Sequence, residues 1–385
     1  MLSSIWALPH TPAPPSFQLD WDSILADFPW LRTLADVPQD PIYHAEGDVL
    51  THTRLVATSL VDMPGWRTLS EQERATVFAA ALLHDIAKPP CTQVAADGRV
   101  SSPGHARLGA RIVHELLFAG AAMPPPPLGI RAAIAGLVRH HGLPLWFWDK
   151  EDPARVVSAA SFASRLDHVA LLAESDVRGR ICMDAAELLE RIALFGSFCE
   201  ELACWDHPRA FASDHSRLHY FRSPGSDPSY AAFDDTVCTV TLMAGLPGAG
   251  KDTWIHEHMA NLPVVSLDEV RRELRISPTG NQGRVVATAR ARARDYLRHR
   301  QSFVWNATNL TRALRSQLID FFTGYHARVR IVYVEAPFAT VLLRNRHRQY
   351  PVPQTVIERF VTKLELPDPT EAHEVTWVEH REGAE

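Results

Sequence analysis

Residues 236–253 read T-V-C-T-V-T-L-M-A-G-L-P-G-A-G-K-D-T, an apolar β-branched run that turns at once into glycines and a lysine. The run 236–244 has the length and composition of a buried strand. The stretch Gly245–Thr253 then has the spacing of a phosphate-binding loop set between a strand and a helix. Its backbone at Gly245, Gly248, Ala249 and Gly250 lets N–H groups close around a β-phosphate, and the helix that follows adds positive charge. Lys251 is placed to reach the β- and γ-phosphates. Asp252 stands where the pattern asks for Ser or Thr, and Thr253 follows, so either residue is a candidate to reach Mg²⁺. These positions predict ATP or another nucleoside triphosphate bound with Mg²⁺.

Downstream, three more strand-like runs follow: V-V-S-L (264–267), S-F-V-W-N (302–306) and R-V-R-I-V-Y-V (328–334). Helical stretches separate them, which predicts a parallel sheet with crossover helices. A carboxylate at the tip of the second strand, Asp268, would lie beside the γ-phosphate and accept a proton from an attacking hydroxyl. Arg271, one turn on, would hold an acceptor's phosphate; the plainer alternative is a helix cap with a solvated arginine. The polar residues of W-N-A-T-N (305–309) are expected to face the triphosphate. Arg344 and Arg348, four apart, are expected on one helix face as a lid over the donor. The arginine-rich segment 284–300 fits a nucleic-acid contact or a solvated face.

Upstream, residues 11–15 are Pro-rich and an irregular stretch runs to about His44. From there to about Leu218 the periodicity is helical. Ile130, Ile134, Leu137 and His141 share one helix face, as do His105, Leu108, Ile112 and Leu116. The Pro/Gly/Ser/Asp-rich segment 221–230 reads as a linker. The expected organisation is an all-α domain over 1–220, a linker over 221–235 and an α/β domain over 236–385. The helical part gathers His52, His84, Asp85, His105, His140, His141 and Asp176. Imidazoles and carboxylates drawn from several helices are what a borderline divalent metal needs. The adjacent pair His84–Asp85 is expected to project from one helix, and a cation held there would stabilise charge on a phosphoryl oxygen.

The 385 residues suffice for two cores. Hydrophobic content of 46% and charged content of 22% are ordinary for a globular protein. No apolar run approaches a bilayer span, and the N-terminus lacks the pattern of a leader. The five cysteines, Cys91, Cys182, Cys199, Cys204 and Cys238, have neither zinc nor disulfide spacing. A cytoplasmic protein with reduced thiols and no membrane association is expected. Residues 1–235 carry 19 basic against 29 acidic side chains, and residues 236–385 carry 20 against 16. The basic half would tolerate a polyanion better.

Over roughly 236–370, D-x-x-R (268–271), T-N (308–309) and R-x-x-x-R (344–348) after the phosphate loop resemble the 5′-hydroxyl polynucleotide kinase family. The resemblance implies Lys251 on phosphates, Asp268 as general base, Arg271 on the acceptor's phosphate, and Arg344 and Arg348 in the lid. In the helical half, the order H…HD…D resembles the HD phosphohydrolase superfamily, an all-α fold. H-A-E-G-D-V-L-T-H-T (44–53), L-L-H-D-I-A-K-P (82–89), G-H-A-R-L-G-A (104–110), V-R-H-H-G (138–142) and E-S-D-V-R-G-R (174–180) look like the HD domain of bacterial tRNA nucleotidyltransferases. This implies His52, His84, Asp85 and Asp176 around a first Mn²⁺, Co²⁺ or Ni²⁺. It also implies His105 with His140 or His141 at a second ion, and Lys88 on the scissile phosphate. Arg178 and Arg180 would contact phosphate or form structural ion pairs.

The two halves together resemble HD-Pnk-type bacterial end-healing enzymes. The implied activity is bifunctional: removal of 2′,3′-cyclic, 2′- or 3′-phosphate, and NTP-dependent phosphorylation of a 5′-hydroxyl. RNA ends, DNA ends as a second candidate, and a separate ligase are the implied partners. The competing readings are a small-molecule kinase of nucleosides or an antibiotic fused to an HD nucleotidase, and a non-enzymatic module with a structural metal.

Overall fold

The computed structural model describes residues 6–120, 125–277 and 280–380; the first five residues, part of the stretch read for a leader, lie outside these. The chain divides into two compact units, Met1–Ala210 and Phe211–Glu385.

The first unit is helical. Its centre is the helix Glu71–Leu83, buried continuously from Ala75 to Leu83 and started by a capping box between Ser70 and Glu73. The alanine-rich run lets neighbours approach closely: Val49–Asp62 and Leu128–His140 both pack on this helix, and Leu166–Arg178 packs on Val49–Asp62 and on Ala185–Glu201. His105–Ala119 lies against Leu128–His140. Its buried face is Gly109, Val113, His114 and Leu117, one position on from the expected stripe, because Gly109 marks the close crossing over Val138. The stretch before His44 is less irregular than expected, with a short helix at Trp21–Asp27.

The second unit carries a five-stranded parallel sheet in the order Val264–Ser266, Phe303–Asn306, Cys238–Ala244, Ala327–Glu335, Glu374–Glu379. The four expected strands are present within a residue or two of the reading. The fifth was missed: its E-V-T-W-V-E alternation is that of a half-exposed edge strand, without the long apolar run that marks the others. Cys238–Ala244 is central, so the loop that follows it opens at the carboxyl end of the sheet, where ligands of such folds collect.

The division at Ala210 falls before the expected end of the first domain, and 221–235 lies inside the second unit. Arg217 on the helix Asp214–Arg222 donates to Pro369 O and His373 O at 2.9 and 2.6 Å. Asp234 pairs with Arg328 at 3.1 Å and Asp235 with His326 at 2.6 Å. The Pro/Gly/Ser composition therefore marks a bonded surface segment, not a free tether. Among the described residues no helix is long and apolar enough to cross a membrane, and all five cysteines are free thiols.

Candidate functional site

In the first unit, His52 on Val49–Asp62, the pair His84–Asp85, His105, His141 and Asp176 on Leu166–Arg178 converge. His84 caps the end of Glu71–Leu83 and Asp85 sits in the turn beyond it, so the pair belongs to a helix exit and not to a helix face. Likewise His105 opens one helix and His141 follows another. Helix ends leave unsatisfied carbonyls. Two of these are used, His84 Nδ1 meeting Ala81 O and His141 Nδ1 meeting Val138 O, and His105 Nδ1 meets the loop carbonyl Ser102 O, each at 2.8 Å. A carbonyl only accepts, so each Nδ1 carries the proton and each Nε2 presents a lone pair. His52 Nδ1 lies 2.9 Å from Glu46 Oε1, close enough for the carboxylate to attract its proton but without hydrogen-bond alignment.

The four Nε2 atoms face inward in pairs, His84 to His52 at 3.4 Å and His105 to His141 at 3.3 Å. Two lone pairs so close repel unless a proton or a metal ion lies between them. Asp85 stands between the pairs. Its Oδ2 is 3.1 Å from His84 Nε2, while the buried Oδ1 has no hydrogen-bond donor and faces His105 Nε2 at 3.5 Å. Asp176 Oδ1 is 3.0 Å from His52 Nε2 and its carboxylate takes a bidentate bond from Arg180 at 3.1 and 2.6 Å. Three groups with metal-ligand spacing result: His52–His84–Asp85 and Asp85–His105–His141, which share Asp85, and His44–Glu46–His52 beside them. The donor set of the first two would suit one or two borderline divalent ions, and Asp85 belongs to both groups that would hold them.

The electrostatics agree. Burial pushes the His84 imidazole down, but Asp85 and Asp176 outweigh it and the net direction is up. Positive charge is thus drawn into the cluster. Burial also opposes ionisation of Asp85, yet His84 and Lys88 hold it well below the usual carboxylate range. His141 is pushed to about 3 by burial, then by His84 and His105, which leaves it in the neutral ligand form. Lys88 Nζ lies 2.8 Å from Asp85 Oδ2 and 2.6 Å from Gln39 Oε1, at the edge of the cluster.

In the second unit, Gly245 has φ +134, and a Cβ there would sit 2.2 Å from Val334 O, so only glycine fits. Lys251 Nζ donates to Gly245 O and Leu246 O at 3.0 and 2.9 Å, and burial pushes its amine down to about 8, against the pull of Asp252. Asp252 Oδ1 accepts from Asn306 Nδ2 at 2.6 Å. Ser266 caps the helix Leu267–Glu273, which leaves Asp268 free of that duty. Asp268 pairs with Arg271, and Arg348 Nη2 approaches its Oδ2 at 3.9 Å. Arg271 Nε also donates to Gln282 Oε1 at 3.0 Å.

Residues 49–170 match the family profile described as HD domain, and residues 240–367 match one described as AAA domain, each about a third of the chain. The chain joins an HD domain to a P-loop kinase-like domain. No curated protein matches it significantly. Among solved structures, a gluconokinase from Sinorhizobium meliloti 1021 is similar at 19% identity over 37% of this chain and 83% of that one, with a TM-score of 0.27. A likeness that slight carries no argument about substrate. The two domains together support an enzyme that uses a nucleotide with Mg²⁺ in one half and a divalent metal in the other.

Of the residues expected in the HD domain, His140 and Asp176 are in none of the metal-spaced groups: His141 turns inward at the helix exit in place of His140, and Asp176 meets His52 Nε2 and Arg180. Arg180 clamps Asp176, whereas Arg178 pairs with Glu174 at 2.7 Å. In the P-loop domain, Phe338–Arg346 ends before Arg348, so Arg344 and Arg348 do not share a helix face. Arg344 Nη1 still lies 3.5 Å from where a Cβ on Gly250 would be. Asn309 does not face the loop interior: its Nδ2 donates to Met243 O at 2.7 Å. In the arginine-rich helix Gln282–Arg298, Arg290 and Arg294 lie over Phe321 and Arg292 pairs with Glu273. Three contributors went unread in the sequence: Glu46, Gln39, and His380, whose buried, unpartnered Nε2 points at Gly250.

Proposed function

We propose that the protein repairs broken RNA ends, with DNA ends as a second substrate, by chemistry in two domains. The HD domain removes a 2′,3′-cyclic, 2′- or 3′-phosphate. The P-loop domain transfers the γ-phosphoryl of a nucleoside triphosphate to a 5′-hydroxyl. The observation that carries this reading is one chain holding a lone-pair cluster suited to phosphoester hydrolysis and a P-loop with a strand-tip carboxylate between two arginines.

In the HD domain, divalent ions held by His52, His84, Asp85, Asp176, His105 and His141 would supply Lewis-acid polarisation and activated water. The protein's own part is orientation and charge. Carbonyls fix three imidazoles and Glu46 faces the fourth, Arg180 fixes Asp176, and Lys88 neutralises the phosphate as water adds to phosphorus and the ribose oxygen leaves with a proton. In the P-loop domain, backbone amides and Lys251 hold the donor's phosphates. Asp268 takes the proton of the 5′-hydroxyl as its oxygen bonds to the γ-phosphorus and the bond to the diphosphate breaks. Arg271 holds the acceptor's backbone phosphate, and Arg344 and Arg348 offset charge gained in the transition state. The products are the 3′-hydroxyl and 5′-phosphate that a ligase consumes.

The test uses the full chain, Mn²⁺, ATP labelled at the γ-phosphate and an oligoribonucleotide with a 5′-hydroxyl and a 2′,3′-cyclic phosphate. Label is expected on the 5′ end and phosphate released from the other, with Asp268→Ala abolishing only the first. Label passing to free nucleosides but never to oligomers would replace this reading with that of a small-molecule kinase.

A further inference from the structure

P-loop enzymes hold Mg²⁺ with a hydroxyl next to the loop lysine and a carboxylate at the tip of a neighbouring strand. In this chain the loop position and the strand tip beside it toward Val264–Ser266 both hold something else. On the other side Glu335 ends its strand and accepts from Tyr333 Oη at 2.6 Å. The residue after Lys251 is Asp252, and the strand beside the loop strand, paired through Leu242 and Trp305, ends at the amide Asn306. The two side chains meet: Asn306 Nδ2 donates to Asp252 Oδ1 at 2.6 Å. We propose that Asp252 and Asn306 are an exchanged Mg²⁺ pair, in which the carboxylate has moved from the strand to the loop and the strand residue orients it.

One carboxylate is preserved by the exchange, as Mg²⁺ bound to substrate phosphates requires. Asn306 is largely buried, so its amide is a fixed donor that holds Oδ1. Among the described residues Oδ2 has no recorded partner. Thr253, the next hydroxyl, is a step of about 100° around the helix from Asp252. Charge makes the pair distinctive. A hydroxyl tolerates a metal-free triphosphate, whereas a carboxylate beside the γ-phosphate repels it unless a divalent cation lies between. The loop should therefore discriminate strongly against metal-free nucleotide. This inference builds on the reading that the P-loop domain uses a nucleoside triphosphate.

The experiment measures ATP affinity of the full chain by calorimetry, once with excess MgCl₂ and once with EDTA. Wild type is expected to bind at least about 100-fold tighter with Mg²⁺. Asp252→Asn should move the two affinities in opposite directions, about tenfold tighter without metal and about tenfold weaker with it. The double variant Asp252→Ser, Asn306→Asp returns the carboxylate to the strand and should recover the Mg²⁺ dependence. If Asp252→Asn weakens both affinities alike, or changes neither, or if the double variant, folded by circular dichroism, recovers nothing, the exchange is wrong. No ATP binding by wild type under either condition would overturn the triphosphate reading itself, and this inference with it.

Discussion

At each cluster histidine, the ring nitrogen that faces away from the cluster decides what the inward one can do. Three of the outward partners are backbone carbonyls, which no substitution removes. The fourth is Glu46, whose Oε1 faces His52 Nδ1 and bonds His44 at 2.8 Å, while its Oε2 accepts the Ile181 amide at 2.8 Å. Glu46→Gln loses the negative charge that faces both imidazoles. Metal affinity measured by chelator competition is expected to fall about 10- to 100-fold, with the thermal transition of the metal-free protein little changed. Unaltered affinity would remove Glu46 from the site. In the P-loop, the Lys251 amine near 8 gives a pH signature. Below that pH the cation is present in the empty loop. Above it the empty loop is neutral, yet bound phosphates recover the proton. Nucleotide affinity should thus drop by up to about tenfold per pH unit between about 8 and 10. Calorimetry at pH 9 in buffers of different ionisation enthalpy should show uptake of a proton; none would contradict the shift.

Two elements repay a direct test. The capping box that starts Glu71–Leu83 satisfies two helix-end groups at once, with Ser70 N to Glu73 Oε2 at 3.0 Å and Glu73 N to Ser70 Oγ at 3.3 Å. Ser70→Ala should cost about 1 kcal/mol by denaturant unfolding, since the helix carries His84 at its far end. Gly245→Ala would force a methyl onto Val334 O, and nucleotide affinity should fall at least about tenfold while the HD domain keeps its metal. Elements were readable in proportion to how local their causes are. The central strands announce themselves because burial on both faces demands unbroken apolar runs. Glu374–Glu379 was silent, since an edge strand shares its alternation with many loops. The composition of 221–235 looked like a tether because Pro, Gly, Ser and Asp mark turns, and turns form equally well on a packed surface. His84 and Asp85 were legible as ligands but not as a helix exit, because the helix-forming run A-A-A-L-L leads straight into them.

Across the whole molecule, the two sets of site residues belong to different units. His84→Ala should accordingly abolish phosphate release and leave 5′-phosphorylation within about twofold, read in one assay on one oligonucleotide. Loss of both activities would mean the units are linked in their chemistry. The long-range partners explain what the sequence withheld. Glu46 acquires meaning from Ile181, 135 residues on, and Asp252 from Asn306, 54 residues on. No spacing rule reaches that far, whereas the phosphate loop and the His-Asp pair are local and could be read outright. One feature of the cluster has a practical outcome. His52, His84, Asp85 and Asp176 are sealed, with side chains at most 2% exposed, while His105 is 25% exposed. Ions bound on the two sides of Asp85 would then exchange with solvent at unequal speeds. A purification containing a chelator would strip the His105 side first, so the isolated protein should show fractional metal content and regain full occupancy only when that open side is refilled.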